Sequence, residues 1–192
     1  MASDETRGRD DHRERAASRP AGRTQAPSAK HRARRAERRF GELVRLQDQA
    51  RDENSDPCQQ VRAGCLAYCE FGLAQQGHYQ VMFANPLPMP ADMPLEQFPG
   101  IVAFRRLVDS VAACLGAEPA DEQTFFTALL IWQQLHGIVS LRISRPRFPW
   151  PPLAETVTEA VDRLLASADG PPVRLPHQGS VDPPDYLSLI HI

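Results

Sequence analysis

The sequence predicts an all-α protein of about five to six helices, and two observations carry this. Between residues 34 and 168, apolar residues recur at i, i+3 and i+4 in segment after segment, and no segment keeps the alternation of a half-buried strand. The gaps between these segments hold helix-boundary residues: Asp56-Pro57, Gly77, Gly116, Asp121 and Pro151-Pro152. A chain of 192 residues is long enough for one domain with a real core and some tail.

Residues 1–33 show no apolar periodicity and are rich in Arg, Ala, Ser and Asp. Such a segment buries too little surface to offset its ordering entropy, so a disordered basic arm is expected. A helix then spans 34–53, with Phe40, Leu43, Val44, Leu46 and Ala50 as a narrow seam among charges. It should lie on a surface. The main domain is expected over 54–168. Asp56 is placed to cap a helix that starts at Pro57 and reaches about Gln76, with Val61, Cys65, Tyr68 and Gly72 on one strip. A short helical turn follows with Tyr79, Met82 and Phe83. Five prolines between residues 84 and 99 exclude a helix there and leave a loop.

From Gly100 to about Leu115, Ile101, Phe104, Val108, Val111 and Leu115 form a stripe. The helix from about 121 to 143 is the most hydrophobic. Phe125, Leu129, Trp132, His136 and Val139 run down one face, and Phe126, Leu130, Gly137 and Leu141 down another. A helix apolar over most of its girth must be buried on more than one side, against its own core or a partner subunit. A last helix, about 151–168, carries Leu153, Val157, Ala160, Val161, Leu164 and Leu165. Residues 169–192 lack a consistent period and read as a disordered tail, whose final "LSLIHI" resembles translated adapter text.

Charge is uneven. Residues 1–40 hold eleven Arg and one Lys against six acids, a balance of +6, which leaves −8 for the rest of a chain of net charge −2. A basic arm on an acidic body is compatible with nucleic-acid contact, but a basic tail is more often simply solvated. The first 39 residues contain no Val, Ile, Leu, Phe, Trp or Tyr, which excludes a secretory signal there. No apolar run reaches the length of a membrane span. A cytoplasmic protein with reduced thiols is therefore expected.

The candidate chemistry is sparse. Cys65 and Cys69 share a helical face with His78 not far off, but zinc usually takes closely paired cysteines and four ligands, so no metal and no cofactor is expected. His136 lacks a nucleophile and orienting acid at supporting spacing; a buried structural histidine or a pocket residue fits better than a catalyst. Gly137 is suited to close helix approach. The aromatics Tyr68, Phe71, Tyr79, Phe83, Phe104, Phe125, Phe126 and Trp132 are numerous for a small helical domain, and Met82 is an adaptable filler beside them. About half of them are expected to line a pocket. No glycine-rich phosphate loop, HExxH or paired-carboxylate motif is present.

Trp132, His136 and Gly137 in "IWQQLHGIVSLRI", preceded by Tyr79, Met82 and Phe83 in "GHYQVMF", resemble the C-terminal ligand-binding and dimerisation domain of TetR/AcrR-type bacterial transcriptional regulators, in the subgroup marked Trp-x-x-x-His-Gly. Gln76 stands where that subgroup's proline would be. The resemblance covers about residues 40–167. It implies a TetR-like helical bundle that is not an enzyme and whose last two helices pair with their twins in a homodimer. The implied interface residues are Leu130, Gly137, Leu141, Val157, Val161 and Leu164. It also implies a pocket for a small apolar or aromatic effector, lined by Tyr68, Phe71, Met82 and Phe83 with Phe104, Phe126, Trp132 and His136. The helix 34–53 is similar to the linker helix after the DNA-reading head.

Residues 1–39 have neither the apolar core nor the tyrosine-rich recognition end of the helix-turn-helix such regulators carry. Three accounts fit: a shifted reading frame of GC-rich DNA, which is favoured; a regulator fragment acting by dimerisation; or an arm that binds DNA nonspecifically through its arginines. DNA contact is expected only through a head missing from this chain. Two other classes remain open: a small helical enzyme or sequestering protein built around His136, and a purely structural dimer module.

Overall fold

The computed structural model describes residues 29–83, 94, 97–168 and 170. The expected arm up to residue 28, the proline-rich loop over 84–93 and the tail from 171 lie outside the described residues. Among the described residues there are six helices and no strand: α1 (Ala29–Asp52), α2 (Pro57–Ala74), α3 (Gln76–Phe83), α4 (Pro99–Leu115), α5 (Glu122–Ser144) and α6 (Leu153–Ser167). The helix boundaries follow local chemistry. The Asp56 carboxylate accepts from the Gln59 backbone N–H at 2.8 Å, and Pro57 opens α2 without wasting a donor. Asp121 caps α5 in the same way through Thr124. Gly116 ends α4 at φ 64°, a left-handed position that a glycine occupies without strain. α1 begins at Ala29, earlier than the arm's composition implies.

Helix α2 is the hub of the bundle and packs on every other helix. Its buried strip of Val61, Cys65, Tyr68, Cys69 and Gly72 meets Phe40 and Leu43 of α1, Val108 and Val111 of α4, Ile131 and Val139 of α5, and Val157 and Val161 of α6 in a continuous core. Ion pairs clip the layers at their edges: Arg62 of α2 to Asp162 of α6 at 2.6 Å, and Arg106 of α4 to Asp48 of α1.

Four expectations need correction. α1 is not merely a surface helix, because Phe40 and Leu43 are buried in the core. α5 turns inward a face that is only partly the expected one: Thr124, Ala128, Ile131, Leu135 and Ile138, with Thr127, while Val139 of the expected face is buried too. Trp132 is instead 36% exposed and Leu141 52%. α6 buries Val157 and Val161 completely in the protomer's own core, so these two cannot face a partner subunit; Leu164 also packs partly against that core. Finally, the thiols are not all reduced. Cys58, in the first turn of α2, forms a disulfide with Cys114, at the end of α4. Cys65 and Cys69 are free and buried.

α5 is the helix among the described residues that is long and apolar enough to cross a membrane by length and composition. Here its inner face is part of the core.

Candidate ligand-binding site

A cavity of about 360 Å³ lies between α1, α2, α3, α4 and α5. Phe40, Leu43 and Gln47 of α1 form one wall, and Tyr68 of α2 lies beside Met82 and Phe83 of α3. Phe98 leads into a second wall from α4, made by Ile101, Phe104 and Leu107 with Arg105. Phe125, Trp132 and Leu135 of α5 complete the lining. The apolar rings hold one another in place. Phe104 meets Phe125 edge-on at 5.5 Å and Trp132 at 5.7 Å, while Phe40 meets Phe83 edge-on at 5.6 Å. Such tilted and T-shaped pairs suit ring quadrupoles and make the wall stiff as well as apolar.

A hydrogen-bonded chain runs from this wall into the bundle. The Tyr68 hydroxyl lies 3.0 Å from that of Tyr79, which lies 2.6 Å from Nδ1 of His136. The His136 ring stacks on Tyr79 at 5.5 Å and meets Phe83 edge-on at 5.1 Å. Burial disfavours the imidazolium and holds the His136 pKa below the ordinary 6.5. Burial also raises both tyrosines well above the usual phenol range, so they stay protonated. The buried Cys65 thiol is likewise raised, and Cys69 is pushed up to about 12, so neither thiol is a ready nucleophile. Among the described residues, no group of three or more His, Cys, Asp or Glu side chains is placed to hold a metal ion.

Of the sequence-derived pocket residues, Tyr68, Met82, Phe83, Phe104 and Trp132 are brought together in the cavity lining. Phe71 is buried in the core without lining it, and Phe126 turns elsewhere because it lies about 100° around α5 from Phe125. His136 is likewise not on the wall; it lies behind it, against the lining residue Phe83 and hydrogen-bonded through Tyr79 to Tyr68. Sequence reasoning missed Phe40, Leu43, Gln47, Phe98 and Leu135. The apolar seam of α1 was visible, but nothing local says that its far side is a cavity. Gly137 was expected to admit a neighbouring helix, yet a Cβ there would meet nothing within 4 Å. The close approach occurs at Gly72, where a Cβ would sit 2.7 Å from Val139 Cγ1 and 2.9 Å from Tyr79 Cδ2.

A helical bundle with an aromatic cavity between its helices has the build of a small-molecule binding domain. Residues 61–168, more than half of the 192, match the family described as Tetracyclin repressor-like, C-terminal domain, and the chain belongs to that family. No curated protein and no solved structure matches it. The family's members are transcriptional regulators rather than enzymes, and they typically dimerise and bind small-molecule effectors.

Proposed function

We propose that this chain is the effector-binding and dimerisation part of a ligand-responsive transcriptional repressor, and that its cavity receives a small apolar or aromatic molecule. The observation that carries this reading is the cavity itself. Its volume falls in the range of small-molecule sites, and its lining is almost wholly aromatic and aliphatic. The cavity is also shared between several helices. α1 supplies Phe40, Leu43 and Gln47 and is tied to α4 by the Asp48–Arg106 pair. A ligand that touches both helices in one arrangement and not in another shifts the population between the two. α1 would pass that shift to a helix-turn-helix head joined ahead of it. The homodimer would form through α5 and α6, with Leu130, Gly137 and Leu141 of α5 on the joining face.

A reading centred on His136 as a catalyst is not favoured, because His136 is not on the cavity wall. The test of the binding reading is titration with a neutral apolar dye such as N-phenyl-1-naphthylamine. Binding is expected, and Trp132→Ala and Phe104→Ala should each weaken it by roughly tenfold or more, as expected for loss of a buried aromatic contact. Affinity unchanged in both variants would overturn the reading.

A further inference from the structure

The cysteines of this chain differ in access. Cys65 and Cys69 are buried, and burial keeps their thiols protonated, so they do not take part readily in thiol exchange. Cys58 and Cys114 are only half-buried, and their disulfide joins the first turn of α2 to the last turn of α4. It holds the two Cα atoms 4.6 Å apart. α4 is also the helix that brings Ile101, Phe104 and Leu107 to the cavity. Leu107 lies seven residues before Cys114, about two turns or 10 Å along the axis. A helix is a rigid element over that length, so the way Cys114 is held bears directly on the wall. The other anchors of α4 are softer. Its first turn follows Phe98, which caps it without a side-chain hydrogen bond and itself lines the cavity. The Arg106–Asp48 pair is solvent-exposed, where ion pairs contribute little. Val108, Val111 and Ala112 hold α4 through buried apolar contacts, which are non-directional. The covalent bond is the anchor that chemistry can remove and restore.

On the reading of the cavity as an effector site, we propose that the Cys58–Cys114 pair is a redox switch on that site: the oxidised chain holds the effector tightly, and reduction releases the end of α4 and weakens binding. The co-reactant is a low-molecular-weight thiol. Its thiolate attacks one sulfur of the pair, the Cys58–Cys114 bond breaks, and a mixed disulfide forms while the other sulfur leaves and takes a proton. A second thiol resolves the mixed disulfide. The pair thereby gains two electrons and two protons, and two small thiols become one disulfide. The coupling is reciprocal. The factor by which oxidation tightens effector binding is also the factor by which bound effector makes the disulfide harder to reduce, and a tenfold factor corresponds to about 30 mV. The site then answers to two signals, the effector and the state of the thiol pool.

The experiment titrates N-phenyl-1-naphthylamine into the full chain, once air-oxidised and once reduced with dithiothreitol. Thiol counting after denaturation fixes the state of the pair, and far-UV circular dichroism reports whether the helices persist. The reduced chain should keep its helical signal and bind the dye about fivefold or more weakly, the lower end of ordinary coupling between two sites. The paired Cys58→Ser and Cys114→Ser changes should bind like the reduced chain and ignore the reductant. Saturating dye should shift the dithiothreitol midpoint of the native pair toward harder reduction by the same factor. Affinities within twofold in the two states overturn the switch and leave the disulfide a structural cross-link. Loss of the helical signal on reduction overturns it as well, because the bond would then hold the fold rather than tune the site. A pair that stays reduced in the air-oxidised chain does the same. Failure of the dye to bind in either state would instead remove the effector-site reading on which the switch rests.

Discussion

Gly72 shows how a single atom positions the site. It lies on the buried strip of α2, opposite Val139 of α5 and Tyr79 of α3, at distances that leave no room for a methyl group. Gly72→Ala should push Tyr79 away from Tyr68 and His136 and cost about 1–3 kcal/mol, the usual penalty for overfilling a packed core. Urea unfolding would measure this, and a variant as stable as the parent would show that α5 and α3 can give way. His136 is the second residue with a readable consequence. Burial holds its folded pKa below 6.5, so the folded state binds its proton less readily than the unfolded chain. Its contribution is complete above pH 6.5 and is lost as the pH falls from there through the folded value. Unfolding midpoints should therefore drop on acidification below 6.5, and His136→Asn should flatten that part of the profile. An unchanged slope in the variant would assign the pH dependence to other groups.

At the level of elements, α6 and α5 differ in how much their sequences reveal. α6 is strongly amphipathic, and its stripe of Val157, Val161 and Leu165 turns inward as a stripe should. α5 has almost no amphipathic direction, since apolar residues surround it. Periodicity alone cannot say which side of such a helix meets its own core. The side that does includes Thr124, Thr127 and Ala128, small or partly polar residues that a search for large apolar side chains passes over. The link between α2 and α4 was also invisible, because Cys58 and Cys114 are 56 residues apart and adjacent only once both helices dock. Closing a loop of that length stabilises the folded chain by about 2–4 kcal/mol through the lost entropy of the unfolded state. Treatment with a phosphine reductant, or the paired Cys58→Ser and Cys114→Ser changes, should lower stability by that amount in chemical denaturation. A loss below about 0.5 kcal/mol would mean that packing alone holds the end of α4.

For the whole molecule, the protomer leaves an apolar strip uncovered on the far side of α5. Leu141 is 52% exposed there, Leu130 and Gly137 are half-buried, and Phe148 follows at 55% beyond the helix end. The loop into α6 is fixed, because Arg142 donates to the Pro151 carbonyl at 2.7 Å and lies over the Trp150 ring at 5.5 Å, so the strip has a defined shape. Exposed apolar side chains such as Leu141 and Phe148 suit the association of two copies proposed above. Leu141→Arg should convert a dimer to a monomer in sedimentation velocity while leaving thermal unfolding of the protomer nearly unchanged. A native chain that is already monomeric at tens of micromolar would remove this interface from the proposal.

The sequence by itself determined the helical class, the order and approximate ends of the helices, and the aromatic character of the site, because capping, proline placement and the 3.6-residue period act over a few neighbouring residues. It also placed Tyr68, Met82, Phe83, Phe104 and Trp132 among the candidates that the cavity gathers. Only the tertiary structure decided which face of α5 turns inward, that α1 forms a wall of the cavity, that Val157 and Val161 belong to the protomer's core, and that Cys58 meets Cys114. Each of these depends on contacts between helices far apart in the chain, and the energy that selects them comes from the fit of facing surfaces, which no local pattern of residues encodes.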